Sequence, residues 1–95
     1  MSVSADLVAE NVARVRAAIA RAAERVGRDP AEVTLVGVTK TVPPELAARA
    51  VAVGVTDLGE NHVRELAAKR AAVPGARWHF IGILQSHTAH KVAEL

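Results

Sequence analysis

The chain has 95 residues, of which 51% are hydrophobic and 23% charged, with a net charge of +2 and no cysteine. This length is less than one average domain, and the composition excludes both a disordered tail and a membrane-spanning segment. One Trp, one Phe and no Tyr provide no row of aromatic side chains on which bases stack. We therefore expect a small folded chain with no nucleic-acid and no membrane partner.

The cellular compartment is predicted from the start of the chain and the cysteine count. The initial residues contain no basic segment followed by an apolar stretch, so they do not resemble a secretory signal. The lack of cysteine agrees with a reducing compartment and leaves apolar packing as the source of the core. Both observations indicate a cytoplasmic protein.

The first predicted element is an amphipathic helix over residues 5–26. Apolar residues recur there at spacings of three and four, which is the period of one helix face. Gly27 is expected to end this helix, because glycine readily adopts the left-handed conformation found just after helices. Residues 33–40 then form a β-branched, apolar run that predicts a parallel strand covered on both faces, with Lys40 at its end.

A strand followed by a helix is predicted three times in succession. The strands cover residues 33–40, 55–58 and 77–82, and the helices cover 44–53, 63–73 and 87–95, with Arg70 in the buried stripe of the second of these helices. Lys40, Asn61 and Gly82 lie at the three strand exits, 21 residues apart. Consecutive βα units place such exits on one edge of a parallel sheet.

The predicted fold class is α/β, an N-terminal helix plus three βα units. No G-x-G-x-x-G motif follows the first strand, which argues against a dinucleotide-binding fold. A (β/α)8 barrel takes about 250 residues, and three units are three-eighths of it. We therefore interpret residues 1–95 as a single incomplete domain, the first part of a (β/α)8 TIM barrel truncated at its C-terminus.

Lys40 is the main candidate for chemistry. In α/β folds ligands bind at the carboxyl ends of the strands, and this lysine ends a strand next to Val36 and Val38. Partial desolvation there favours the neutral amine, which forms a Schiff base with a carbonyl compound or with pyridoxal phosphate. The alternative is a charge carried out to water, as we expect for Lys69 and Lys91 in their helices.

Other polar residues at the strand exits are weaker candidates. His79 lies within the third strand, where a hydrogen-bonded core histidine and a side chain pointing into a barrel are both open. Asn61 is a candidate N-cap of the next helix, and Glu60 is a candidate exposed loop acid. The remaining histidines have no third ligand nearby in the sequence, so we predict no metal site.

Three motifs resemble those of a known family. They are Val36-Gly37-Val38-Thr39-Lys40-Thr41-Val42-Pro43, Gly59-Glu60-Asn61-His62-Val63-Arg64-Glu65 and Trp78-His79-Phe80-Ile81-Gly82-Ile83-Leu84-Gln85-Ser86. In this order they are similar to successive signatures of the pyridoxal phosphate homeostasis proteins, the YggS-like family. The resemblance runs from the first helix to about Ser86.

The resemblance implies an alanine-racemase-like barrel that binds pyridoxal 5′-phosphate (PLP) covalently, as a Schiff base on Lys40. It implies a role in intracellular vitamin B6 homeostasis without turnover, with Asn61 and His79 as lining residues of the cofactor site. The family's phosphate-binding segments come from late strands, which we expect to lie outside this chain. A PLP-dependent racemase or decarboxylase on the same barrel is the alternative, and an interaction module using the arginines of the first helix ranks last. The oligomeric state is not predicted.

Overall fold

A computed structural model describes residues 5–83 and 85–95 of the chain. One helix is followed by three βα units, in the predicted order. The elements are α1 (Ala5–Arg25), a short 3-10 helix (Pro30–Glu32), β1 (Val36–Val38), α2 (Pro44–Ala52), β2 (Asp57–Glu60), α3 (Val63–Ala72), β3 (Arg77–Phe80) and α4 (Ser86–Ala93). Leu84, in the predicted exit from the third strand, lies outside the described residues. The α/β class is confirmed.

The three strands form one parallel sheet in the order β1-β2-β3. The register pairs Gly37 with Leu58 and Leu58 with Trp78. The first and third strands are shorter than predicted, and the second begins and ends two residues later. Among the described residues β1 pairs with β2 alone, over residues 36–38.

The two sides of this sheet differ. The helix-facing side carries Gly37, Leu58 and Trp78, and α2 and α3 cover it with a core of Ala47, Val55, Leu58 and Val73. The open side carries Val36, Val38, Asp57, Gly59 and His79, because side chains alternate along a strand. The prediction that β1 is covered on both faces is wrong for the described residues, since Val38 is 58% exposed there. All the described packing against the core comes from one side of the sheet.

The end of α2 shows how the sequence turns the chain back into the sheet. Gly54 has a φ of 99° and its N–H donates to Val51 O (3.0 Å), while Val55 N–H donates to Ala50 O (2.9 Å). This is the double hydrogen bond of a Schellman motif, whose C′ residue needs a positive φ. Arg16 of α1 also donates to the Gly54 carbonyl (2.9 Å), which fastens α1 against α2.

Gly27 ends α1 in the same way, with a φ of 71°, as the sequence predicts. Within residues 5–83 and 85–95, none of the helices combines the length and the apolar character that crossing a bilayer requires.

Candidate functional site

The carboxyl ends of the strands lie along one edge of the sheet, as predicted. The register aligns Val38, Gly59 and His79 in one row across the three strands. Lys40 and Asn61 each lie two residues beyond the member of that row on their own strand. The exits of β1 and β2 therefore place these two residues at the same edge of the sheet, beyond the paired residues.

Lys40 itself is exposed. Its amine has no hydrogen-bond or ion-pair partner among the described residues. The side chain of Thr39 lies on the helix-facing side, so strand alternation assigns Lys40 to the open side. The predicted shielding by Val36 and Val38 is wrong for the described part of the chain, because the helices cover the other side of the sheet and Val38 is itself exposed.

The turn that carries Lys40 is strained. Val42 N–H donates to Thr39 O over 2.9 Å and closes the turn, while Thr41 has a φ of 62°. Turns with a positive φ at the third position ordinarily have Gly or Asn there, and a β-branched residue in this region costs on the order of 1–3 kcal/mol. Such strain persists where neighbouring contacts hold the backbone, and it often marks functional sites.

Three residues on the helix-facing side hold the start of this turn; they are Thr39, Glu60 and Lys69, which we call the buried charged cluster. Within the turn itself, the hydroxyl of Thr41 donates to Lys40 O over 2.6 Å. The exposures of Thr39, Glu60 and Lys69 are 4%, 0% and 6%. Lys69 Nζ lies 2.6 Å from Glu60 Oε2 and donates to the backbone oxygen of Thr39 over 2.5 Å. Thr39 Oγ1 donates to the same Glu60 oxygen over 2.5 Å. The cluster thus joins β1, β2 and α3 just below the strand exits.

The ionisation of Glu60 follows from two opposing effects. Burial raises the pKa of Glu60, but the hydrogen bonds from Lys69 and Thr39 and the charge of Lys69 lower it by more, so the pKa of Glu60 ends below its ordinary value of 4.5. Glu65 of α3 adds a second carboxylate 3.6 Å from Lys69 Nζ. Glu60 is therefore an ionised, paired carboxylate in the interior.

The sequence-based interpretation missed this cluster. Lys69 is buried and paired, not solvated in its helix, and Glu60 is not an exposed loop acid. Arg70, predicted in the buried stripe of α3, is exposed. Both Lys69 and Arg70 fit the helical spacing from Leu66, and the carboxylate of Glu60 decides between them. The available signal was the alternation along β2, which puts Glu60 on the same side as a core residue.

His79 lies on the open side and is hydrogen-bonded. Its Nε2 is 2.9 Å from Asp57 Oδ1, and Arg77 Nε lies 3.7 Å from the same oxygen. The His79 side chain is 38% exposed, so it is not a core residue. Gly59 lies between β1 and β3 in this row, where an added Cβ would contact Ile81 (3.3 Å). The ring of His79 therefore borders an open surface with a carboxylate that fixes its orientation.

Asn61 lines a surface cavity of about 550 Å³ at the exits of β2 and β3. The other lining residues are His62, Ile81, Gly82, Ile83 and Gln85. Asn61 is not the N-cap of α3, because His62 occupies that position and no side chain caps the helix. Its buried Oδ1 has no hydrogen-bond partner. Asn61 thus lines this cavity as a residue, while its own Oδ1 is buried and unpaired.

Gly82 allows the exits of β2 and β3 to approach each other. A Cβ at this position would lie 2.5 Å from the Asn61 carbonyl oxygen and 2.9 Å from Phe80 Cζ, which is closer than atoms can approach. Among the described residues no group of three His, Asp or Glu side chains is arranged to hold a metal ion. The residues at this edge offer the amine of Lys40, the amide of Asn61 and the imidazole of His79.

These features define an α/β chain with a free lysine at the exit of its first parallel strand. No family model matches it. Several curated proteins named pyridoxal phosphate homeostasis protein do match. The relative from Pseudomonas aeruginosa is 44% identical over 89 residues, and that from Escherichia coli strain K12 is 45% identical over 92 residues. Each match covers 92% of this chain.

A solved structure is also similar. The structure of PipY from Synechococcus elongatus PCC7942, without PLP, matches 92% of this chain and 37% of its own length, with a TM-score of 0.71 and 34% identity. The chain is thus a homologue of part of the pyridoxal phosphate homeostasis proteins, and the predicted resemblance is confirmed. It spans 39% of the length of the two curated relatives described above. Their names agree with the predicted cofactor.

Proposed function

We propose that this chain is the cofactor-attaching part of a protein of intracellular vitamin B6 homeostasis, in which Lys40 holds PLP as a Schiff base. The observation that carries the proposal is the amine of Lys40, exposed at a strand exit and without a partner among the described residues. When bound, PLP supplies an aldehyde that condenses with a neutral amine and releases water.

The residues around Lys40 fit such a group. Asn61 lies at the same edge of the sheet as Lys40, and the cavity that Asn61 lines has a volume within the range of small-molecule sites. His79 is the second proposed lining residue, since it lies on the open side with its ring held by Asp57.

The open side of the sheet supports a (β/α)8 barrel for the whole protein. Val38 and Ile81 are 58% and 49% exposed there, and side chains of this kind fill the interior of such barrels. Barrel enzymes and binding proteins place their ligands at the carboxyl ends of the strands, where Lys40 and Asn61 lie. We assign residues 1–95 to one incomplete barrel domain, and we place its role in the cytoplasm.

The test uses the protein expressed from its complete coding sequence, titrated with PLP while the absorption of the Schiff base is recorded. We expect a saturable band with one cofactor per chain, lost in Lys40→Ala and retained in Lys91→Ala. Lys91 is the matched control because it is also exposed. A band that survives Lys40→Ala would contradict the proposal.

The same preparation separates a carrier from an enzyme. A carrier holds PLP without converting amino acids, whereas a racemase or decarboxylase on this barrel needs a further acid–base group facing the cofactor. Incubation of the PLP-loaded protein with L-amino acids, followed by chiral and amine analysis, is expected to show neither D-enantiomer nor amine. Formation of either product would favour the enzyme.

A further inference from the structure

The buried charged cluster contacts the backbone of the turn that bears Lys40. The backbone oxygen of Thr39 accepts two hydrogen bonds, one from Val42 N–H (2.9 Å) and one from Lys69 Nζ (2.5 Å). That oxygen belongs to the peptide unit joining Thr39 to Lys40. Both of its acceptor sites are therefore used, and the plane of this peptide is fixed from two directions.

The other groups of Thr39 are also held. Its N–H donates to Gly59 O (3.0 Å), and its hydroxyl donates to Glu60 Oε2 (2.5 Å). Glu60 is completely buried, and the same carboxylate oxygen also accepts from Lys69. One oxygen of Glu60 therefore holds both the hydroxyl of Thr39 and the ammonium of Lys69. Every polar group of the residue before Lys40 thus has a partner inside the sheet or the cluster.

Lys69 has three N–H donors and three oxygen neighbours. They belong to Thr39 (2.5 Å), Glu60 (2.6 Å) and Glu65 (3.6 Å). A buried ammonium with this many oxygens is oriented, because turning it would leave a donor or a carboxylate unpaired. The ammonium of Lys69 therefore acts on the turn as a fixed support.

We propose that Thr39, Glu60 and Lys69 are positioning residues that hold the strained turn 39–42, and so set the direction in which Lys40 enters the cofactor site. Thr41 has a φ of 62°, a conformation that the backbone keeps only where its surroundings impose it. The cluster supplies those surroundings from the helix-facing side, while the side chain of Lys40 stays free. This inference rests on the proposed function for the role of Lys40 but not for the hold on the turn.

The test uses variants of the complete protein that keep the interior charge-balanced. Glu60→Gln with Lys69→Met removes both charges together, which avoids a lone buried ion. Thr39→Val removes the hydroxyl, and Thr39→Ser restores it. Arg70→Met is the control, since it changes the neighbouring exposed cation of the same helix.

The first readout is amide hydrogen exchange of the cofactor-free protein. We expect Val42 N–H to exchange about tenfold faster in the Glu60→Gln/Lys69→Met variant, the change that loss of one hydrogen bond from a charged donor produces. Amides between β2 and β3, such as Ile81 N–H on Glu60 O, are expected to keep their protection. Arg70→Met is expected to change neither.

The second readout is the dissociation constant for PLP, followed by the Schiff-base band. We expect it to rise about tenfold in the charge-free double variant and in Thr39→Val, and to return toward the parent value in Thr39→Ser, as for other residues that orient a ligand-holding side chain. If Val42 N–H exchanges at the parent rate in the Glu60→Gln/Lys69→Met variant while PLP still attaches at Lys40, the positioning role is overturned and the proposed function stands. If the parent protein attaches no PLP at Lys40, the proposed function fails, and faster Val42 exchange would still support the hold on the turn.

Discussion

Lys69 and Lys40 differ in burial and in hydrogen bonding. On the helix-facing side Lys69 is 6% exposed and donates to buried oxygens, whereas Lys40, assigned to the open side, is exposed without a partner among the described residues. Covalent chemistry with an aldehyde needs the lone pair of a free amine, which a hydrogen-bonded ammonium lacks. The two lysines thus differ in burial and pairing, and the proposed function assigns the attachment of PLP to the exposed one.

The largest effect on this comparison is expected from breaking the buried pair. Lys69→Ala leaves the carboxylate of Glu60 uncompensated in the interior, which we expect to cost about 3–5 kcal/mol of unfolding free energy. Lys91→Ala, in exposed surroundings, is expected to change it by less than about 0.5 kcal/mol. Urea unfolding followed by circular dichroism measures both. Equal losses would show that Lys69 is not buried in the folded protein.

The apolar residues of the two sides provide a second comparison. Leu58 is 0% exposed among the core residues, so Leu58→Ala is expected to cost about 2–5 kcal/mol. Val38 is 58% exposed on the open side, and Val38→Ala is expected to cost less than about 1 kcal/mol within residues 1–95. The same unfolding measurement applies to the isolated chain. In the complete protein, a larger loss for Val38→Ala would indicate that further chain covers the open side.

Lowering the pH is expected to weaken the buried pair of Glu60 and Lys69. The pKa of Glu60 is lowered in the folded state, so its pairing with Lys69 contributes fully above the ordinary value of 4.5 and is lost as the pH falls through the lowered pKa. Glu65, 3.6 Å from Lys69, faces the same ammonium. We expect the stability of the parent chain to fall below pH 4.5 more steeply than that of Glu60→Gln/Lys69→Met, measured by unfolding across that range. Parallel curves would contradict this.

The smallest effect is expected at the strained turn. Thr41→Gly relieves the left-handed conformation, at a cost of about 1–2 kcal/mol for other residues, but adds about 0.5–1 kcal/mol of unfolded-chain entropy. We therefore expect a net gain of between zero and about 1.5 kcal/mol. Thr34→Gly, at a position without a positive φ, is expected to lose about 0.5–1 kcal/mol. Destabilisation of equal size in both variants would mean that Thr41 is unstrained.

Much of the fold follows from the sequence. Helix periodicity, the glycine after α1 and the repeated strand-helix order predict the elements and the parallel sheet. The strand boundaries differ because pairing depends on a neighbouring strand, which a local pattern does not contain. The apolar composition of β1 predicts that both of its faces are covered. Composition does not show whether the covering segments lie within residues 1–95, and Val38 on the open side is exposed.

For the candidate site, the sequence predicts the position of Lys40 and Asn61 at one edge of the sheet, because the exits of parallel strands converge there. Glu60 and Lys69 were missed because a charged residue in a helix or after a strand is ordinarily solvated. Their burial depends on a contact between β2 and α3 across nine positions, which becomes visible only when the helix is placed over the strand.

The most direct test of the account is the location of the attached cofactor. The complete protein is loaded with PLP, reduced with borohydride to fix the Schiff base, digested and mapped by mass spectrometry. We predict the label on Lys40, with none on Lys69 and only trace amounts on Lys91. Label on Lys69, or label shared equally among the three lysines, would contradict the separation of the two sides of the sheet on which the account depends.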